Sequence, residues 1–120
     1  MLSGDSTHDD ERRAALERAV RLAPEDATAL NNLAWYHVTH GHSADGLPLA
    51  FRSVQISPGN PFRLDTLAAA LAGVGRCPEA LHAEERVFEV ASDGVPPQAL
   101  QSLRKNEEKI RQTCAAPEAK

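Results

Sequence analysis

An internal repeat constrains this chain more than any other feature. Arg18, Arg52 and Arg86 stand 34 residues apart. Val20, Val54 and Phe88 follow the same step, as do Leu22, Ile56 and Val90. Pro24 and Pro58 share it. So do the pairs Leu30 and Leu64, Leu33 and Leu67, Ala34 and Ala68, and Gly41 and Gly75. One offset that covers apolar, small, charged and turn positions means that one supersecondary unit is used more than once. A unit of this size cannot bury its apolar face alone, so successive units have to stack.

Each unit reads as two helices. Aromatic residues make up only 4% of the chain, while Ala and Leu, both strong helix formers, are abundant. The spacing of Pro and Gly predicts helices over 9–22, 27–40, 45–57, 61–74, 78–92 and 96–113. Asn60-Pro61 offers an N-cap followed by Pro at the first helical position, where its missing N–H costs nothing. Gly41, Gly75 and Gly94 are placed to end helices. Pro48 is tolerated only in a first turn, so its helix is expected to begin near Asp45. Residues 1–8 and 114–120 are expected to be disordered. The fold class is all-α, a short solenoid of antiparallel helix pairs.

The repeat resembles the tetratricopeptide family, whose pattern runs Trp-x2-Leu-Gly-x2-Tyr, then Ala-x3-Phe, then Pro. The first full repeat carries Leu30, Leu33, Ala34 and His37, then Gly46 and Ala50, then Pro58. The second carries Leu64, Leu67, Ala68 and Leu71, then Ala80 and Glu84, then Ser92. His37 replaces the family's Tyr, Glu84 its Phe and Ser92 its Pro. The resemblance implies a right-handed superhelical stack: a half-repeat at 9–26, repeats at 27–60 and 61–94, and a polar capping helix at 96–113.

It also implies a concave groove lined by the first helix of each repeat. Thr28, Asn31, Asn32, Trp35 and Thr39 fall on that side of the first repeat, and Phe62, Asp65 and Thr66 on that side of the second. Trp35 reads equally as the anchor for a bound peptide or protein segment, because a large aromatic buries area with few rotors to freeze, and as a packing residue between helices. Asn31 and Asn32 offer amides to a peptide backbone. Some tetratricopeptide modules clamp the carboxylate of a chaperone tail with Lys, Asn and Arg. Here Phe62 and Thr66 stand where the cations belong, so no such clamp is expected. The alternative reading is a homodimer through the uncovered edge of the half-repeat, at Leu16, Ala19 and Val20.

Other chemistry is thin. No phosphate loop, nucleophile elbow or His-Glu-x-x-His motif occurs, so no enzyme and no cofactor is expected. His37, His40 and His42 form the one cluster with ligand chemistry, a lesser alternative beside a plain core role for His37. Glu84-Glu85 reads as solvated helix surface. Net charge is −4, which disfavours nucleic acid as a partner. No apolar run is long enough to span a membrane. Cys77 and Cys114 read as free thiols in a reducing compartment, and the N-terminal residues lack the pattern of a secretory signal, so a cytoplasmic location is expected.

Overall fold

A computed structural model describes residues 4–91 and 94–115. Six helices follow one another: α1 (Gly4–Leu22), α2 (Ala27–Thr39), α3 (Ser43–Ile56), α4 (Pro61–Gly73), α5 (Cys77–Val90) and α6 (Pro97–Ala115). Helices α2 and α3 form one hairpin and α4 and α5 the next. The hairpins stack through α3 on α4 and α2 on α4. Helix α1 leans on α2, and α6 packs across α4 and α5.

The repeat is visible in how the helices start and stop. Asp26 and Asn60, 34 residues apart, are both N-caps. Asp26 Oδ1 accepts from the amides of Thr28 and Ala29 at 2.8 and 3.2 Å. Asn60 Oδ1 accepts from those of Phe62 and Arg63 at 2.9 and 3.3 Å. Each cap satisfies amides that the first turn leaves without partners. Gly41 and Gly75 have φ of +78° and +86°, in the left-handed region that reverses the chain after α2 and α4.

Four boundaries differ from expectation. Helix α1 starts at Gly4, within the stretch expected to be disordered. Helix α3 starts at Ser43, which puts Pro48 inside the helix rather than in its first turn. Helix α5 ends at Val90, so Gly94 is not its cap. Helix α6 includes Cys114 and Ala115, while Ser92, the departure from the family's Pro, lies outside the described residues.

Small residues set the core. Ala34, Ala50, Ala68, Ala70 and Ala80 are fully buried where helices cross. Gly46 sits where α3 meets α2. A Cβ there would lie 2.9 Å from the Ala34 carbonyl oxygen, so the crossing requires glycine. A second cluster of Leu64, Val87 and Leu103 joins α4, α5 and α6.

Helix α6 closes the stack, as a capping helix should, but it is bound by more than packing. Leu103, Ile110 and Cys114 form a buried stripe on an otherwise polar helix. Cys114 is joined to Cys77 by a disulfide, with the Cα atoms 5.5 Å apart. The expectation of two free thiols is therefore wrong. The cysteines are 37 residues apart in sequence. They meet because α6 runs back along the hairpin until its last turn reaches the first turn of α5.

Candidate functional site

The first helices of the two repeats, α2 and α4, lie side by side with α6 along the far edge of α4. Between them is a cavity of about 300 Å³. Trp35, Val38 and Thr39 form one wall, and Asn106, Lys109, Ile110 and Thr113 of α6 form the other. The floor is Ala69, Ala72 and Gly73 of α4. Ala69 and Gly73 stand where the first repeat has Trp35 and Thr39. The second repeat thus provides the space and the first the aromatic wall. Trp35 is half-buried.

The structure brings only part of the expected residue set together. Trp35 and Thr39 line the cavity. Thr39 Oγ1 donates to the carbonyl of Trp35 at 2.9 Å, a bond within its own helix. Thr28 is exposed, but its hydroxyl accepts from Arg63 Nη2 at 2.9 Å, away from the cavity. Asn31 is half-buried, Asn32 and Phe62 are exposed, and none of the three lines the cavity. Thr66 is buried, with its hydroxyl donating to the Phe62 carbonyl at 3.1 Å, so it presents nothing to a ligand. Leu16, Ala19 and Val20 are half-buried, and α1 packs on α2. Leu22, at the end of α1, is 77% exposed.

Asp65 is the clearest correction. Rather than facing a groove, it is 5% exposed and accepts from Asn106 Nδ2 of α6 at 2.7 Å. Its neighbour is Glu84, only 3% exposed, which corrects the reading of Glu84 as solvated surface. Among the described residues nothing hydrogen-bonds to either Glu84 oxygen or to Asp65 Oδ1. Burial raises the pKa of Asp65 to about 6. Burial, and then the adjacent Asp65 charge, raise that of Glu84 to about 9. At neutral pH the pair carries a single charge, because two carboxylates this close in a dry site cannot both ionise. The bond between Asp65 and Asn106 ties α6 to α4, and Glu84 stands at the position where the family pattern has Phe. A second cleft of about 500 Å³ lies on the outer side, between α5 and α6. There Arg104 covers the Phe88 ring at 5.1 Å.

The histidines also separate. His40 stacks on Tyr36, with ring centroids 4.0 Å apart. Its Nδ1 lies 2.8 Å from the Tyr36 carbonyl oxygen and its Nε2 3.4 Å from Asp9 Oδ2. Tyr36 in turn donates its hydroxyl to the Asp9 carbonyl at 3.3 Å. His40 therefore ties α2 to α1 and does not join His37 and His42.

No protein-family model matches the sequence, and no curated protein matches it. Solved structures do. A mutant O-GlcNAc transferase of Thermobaculum terrenum superposes with a TM-score of 0.64 at 21% identity, over 78% of this chain and 21% of the transferase. MamA of MSR-1 superposes with a TM-score of 0.64 at 18% identity, over 93% of this chain and 63% of MamA. The chain thus spans about a fifth of the first and under two thirds of the second. Both neighbours contain tetratricopeptide repeats, and at these identities the likeness speaks for the fold. With its repeat, its caps and its hairpin order, the chain is a tetratricopeptide-like helical stack.

Proposed function

We propose that the chain is a non-catalytic interaction module that takes a short peptide or protein segment in the cavity between α2, α4 and α6. One observation carries this reading: the cavity opens at the first helices of the repeats, with Trp35 on one wall and an alanine and glycine floor. A floor without long side chains admits a peptide main chain, and an aromatic wall provides the apolar contact that anchors interfaces. Asn106, Thr39 and Thr113 supply polar atoms at the walls, and Lys109 adds a cation. The favoured occupant is a short extended segment with small apolar residues and an acidic flank. The cavity is too short for a long wrapped ligand.

Selection from a random peptide library against the full chain tests this. Enriched peptides should bind the wild type and lose affinity about tenfold or more in Trp35→Ala. Failure to enrich any peptide, or equal binding by Trp35→Ala, refutes it. The homodimer reading through Leu16, Ala19 and Val20 has less support, since all three are half-buried and α1 packs on α2. As for location, no helix among the described residues is long and apolar enough to cross a membrane. The disulfide favours an oxidising compartment over the cytoplasm expected from sequence.

A further inference from the structure

The 34-residue repeat provides an internal comparison at the turn between the two helices of each hairpin. His37, Gly41, His42 and Asp45 of the first repeat correspond to Leu71, Gly75, Arg76 and Glu79 of the second. The backbone is the same in both. The amide of His42 donates to the His37 carbonyl at 2.8 Å, and that of Arg76 to the Leu71 carbonyl at 2.9 Å, each around a left-handed glycine. This is the helix-ending turn that folds the residue after glycine back over the last helical turn.

The side chains use that shared frame differently. In the second repeat Leu71 is buried, and Arg76 grips Glu79 with two hydrogen bonds of 2.7 Å each. The slot is filled by a closed ion pair. In the first repeat the same three positions hold two imidazoles and a carboxylate. Their ligand atoms all lie within 4.8 Å of one another. The His37 and His42 rings are 6.4 Å apart and tilted by 54°, so they do not stack on each other. His37 Nδ1 is buried, and among the described residues it has no hydrogen-bond partner. His42 caps α3 by its backbone only, with no side-chain cap bond. Among the described residues His37 Nδ1 is thus left without a partner, and the His42 side chain takes no part in the cap.

We propose that His37, His42 and Asp45 bind a divalent transition metal of the zinc class. Two imidazole nitrogens and one carboxylate oxygen suit zinc, nickel, cobalt and copper rather than magnesium or calcium, which prefer all-oxygen shells. Zinc bonds of about 2.0–2.1 Å in a tetrahedron set ligand atoms about 3.3 Å apart. The three donors, within 4.8 Å of one another, have to close in by up to about 1.5 Å to reach that spacing, and His42 and Asp45 are exposed and able to turn inward. Three protein ligands leave the remaining position to water. The metal would join the end of α2 to the start of α3, as the Arg76–Glu79 pair stiffens the equivalent turn.

Isothermal titration of the untagged, oxidised chain with zinc chloride tests the site. One saturable zinc per chain is expected, with magnesium and calcium giving no binding. His42→Ala and Asp45→Ala should each weaken the affinity about tenfold or more, while His40→Ala leaves it unchanged. Circular dichroism of each variant confirms that it remains folded. Lack of stoichiometric binding overturns the proposal, and so does undiminished affinity in either His42→Ala or Asp45→Ala. Neither result bears on the peptide cavity, because none of the three ligands lines it.

Discussion

Replacing Glu84 by Gln removes one ionisable group and little else, so it isolates the cost of the buried acid pair. In the unfolded chain Glu84 loses its proton near its ordinary pKa of 4.5, whereas in the fold it keeps the proton up to about pH 9. Between those values the native state holds more protons than the unfolded state. Linkage then requires stability to fall as pH rises. Asp65 acts in the same direction over a narrower span, from 3.8 to about 6. For Glu84 each pH unit within the window is worth about 1.4 kcal/mol. From about pH 5 to about pH 8 the wild type should lose stability at this site, with a ceiling of about 4 kcal/mol. Glu84→Gln should not incur that loss. The measurement is urea denaturation of both proteins at the two pH values, with the disulfide intact. The stability difference between variant and wild type should move in favour of Gln by more than about 1 kcal/mol on going from the lower pH to the higher. The constant cost of burying an amide instead of a carboxylic acid cancels in this comparison. A difference that is the same at both pH values would refute the account of a protonated, buried Glu84.

Three other outcomes follow from the packing. Cys114→Ser, or reduction of the wild type, removes a link that closes 37 residues of sequence; chain entropy puts the loss at about 3–4 kcal/mol, measurable as a drop in the denaturation midpoint. Gly46→Val places a branched side chain against the Ala34 carbonyl and Val38, and thermal unfolding should show a loss of about 1–3 kcal/mol. Asn106→Ala takes the amide donor from buried Asp65; a cost of about 1–3 kcal/mol is expected, and α6 amides should exchange hydrogen faster.

Features that depend on local sequence were legible before the structure. Asn60-Pro61, Gly41 and Gly75 mark helix ends because their effects act within one turn of the chain. Repeat register alone puts Trp35 and Thr39 on one face of α2, and both line the cavity. What escaped depends on where α6 lies. Treating α6 as a polar cap hid the second wall of the cavity, although Leu103, Ile110 and Cys114 at helical spacing signal a buried stripe. The same omission left Asp65 as a groove residue, Glu84 as surface and the cysteines as free. Each of these is decided by a partner on α6 or by the volume that α6 encloses. His40 was misassigned for another reason: its partners, Tyr36 and Asp9, engage it through a contact between α1 and α2 that periodicity does not encode.

The bridge at the end of α6 has a consequence for ligand binding. Thr113 on the cavity wall immediately precedes Cys114, so the bridge anchors the end of the helix that forms that wall. If a seated segment binds the bridged chain more tightly than the reduced one, reciprocity fixes the converse: the occupied chain resists reduction by the same factor. Susceptibility to a thiol reductant then reports occupancy of the groove with no label on either partner. In that case the two cysteines make the cavity and its redox surroundings a single equilibrium, which one reagent can read.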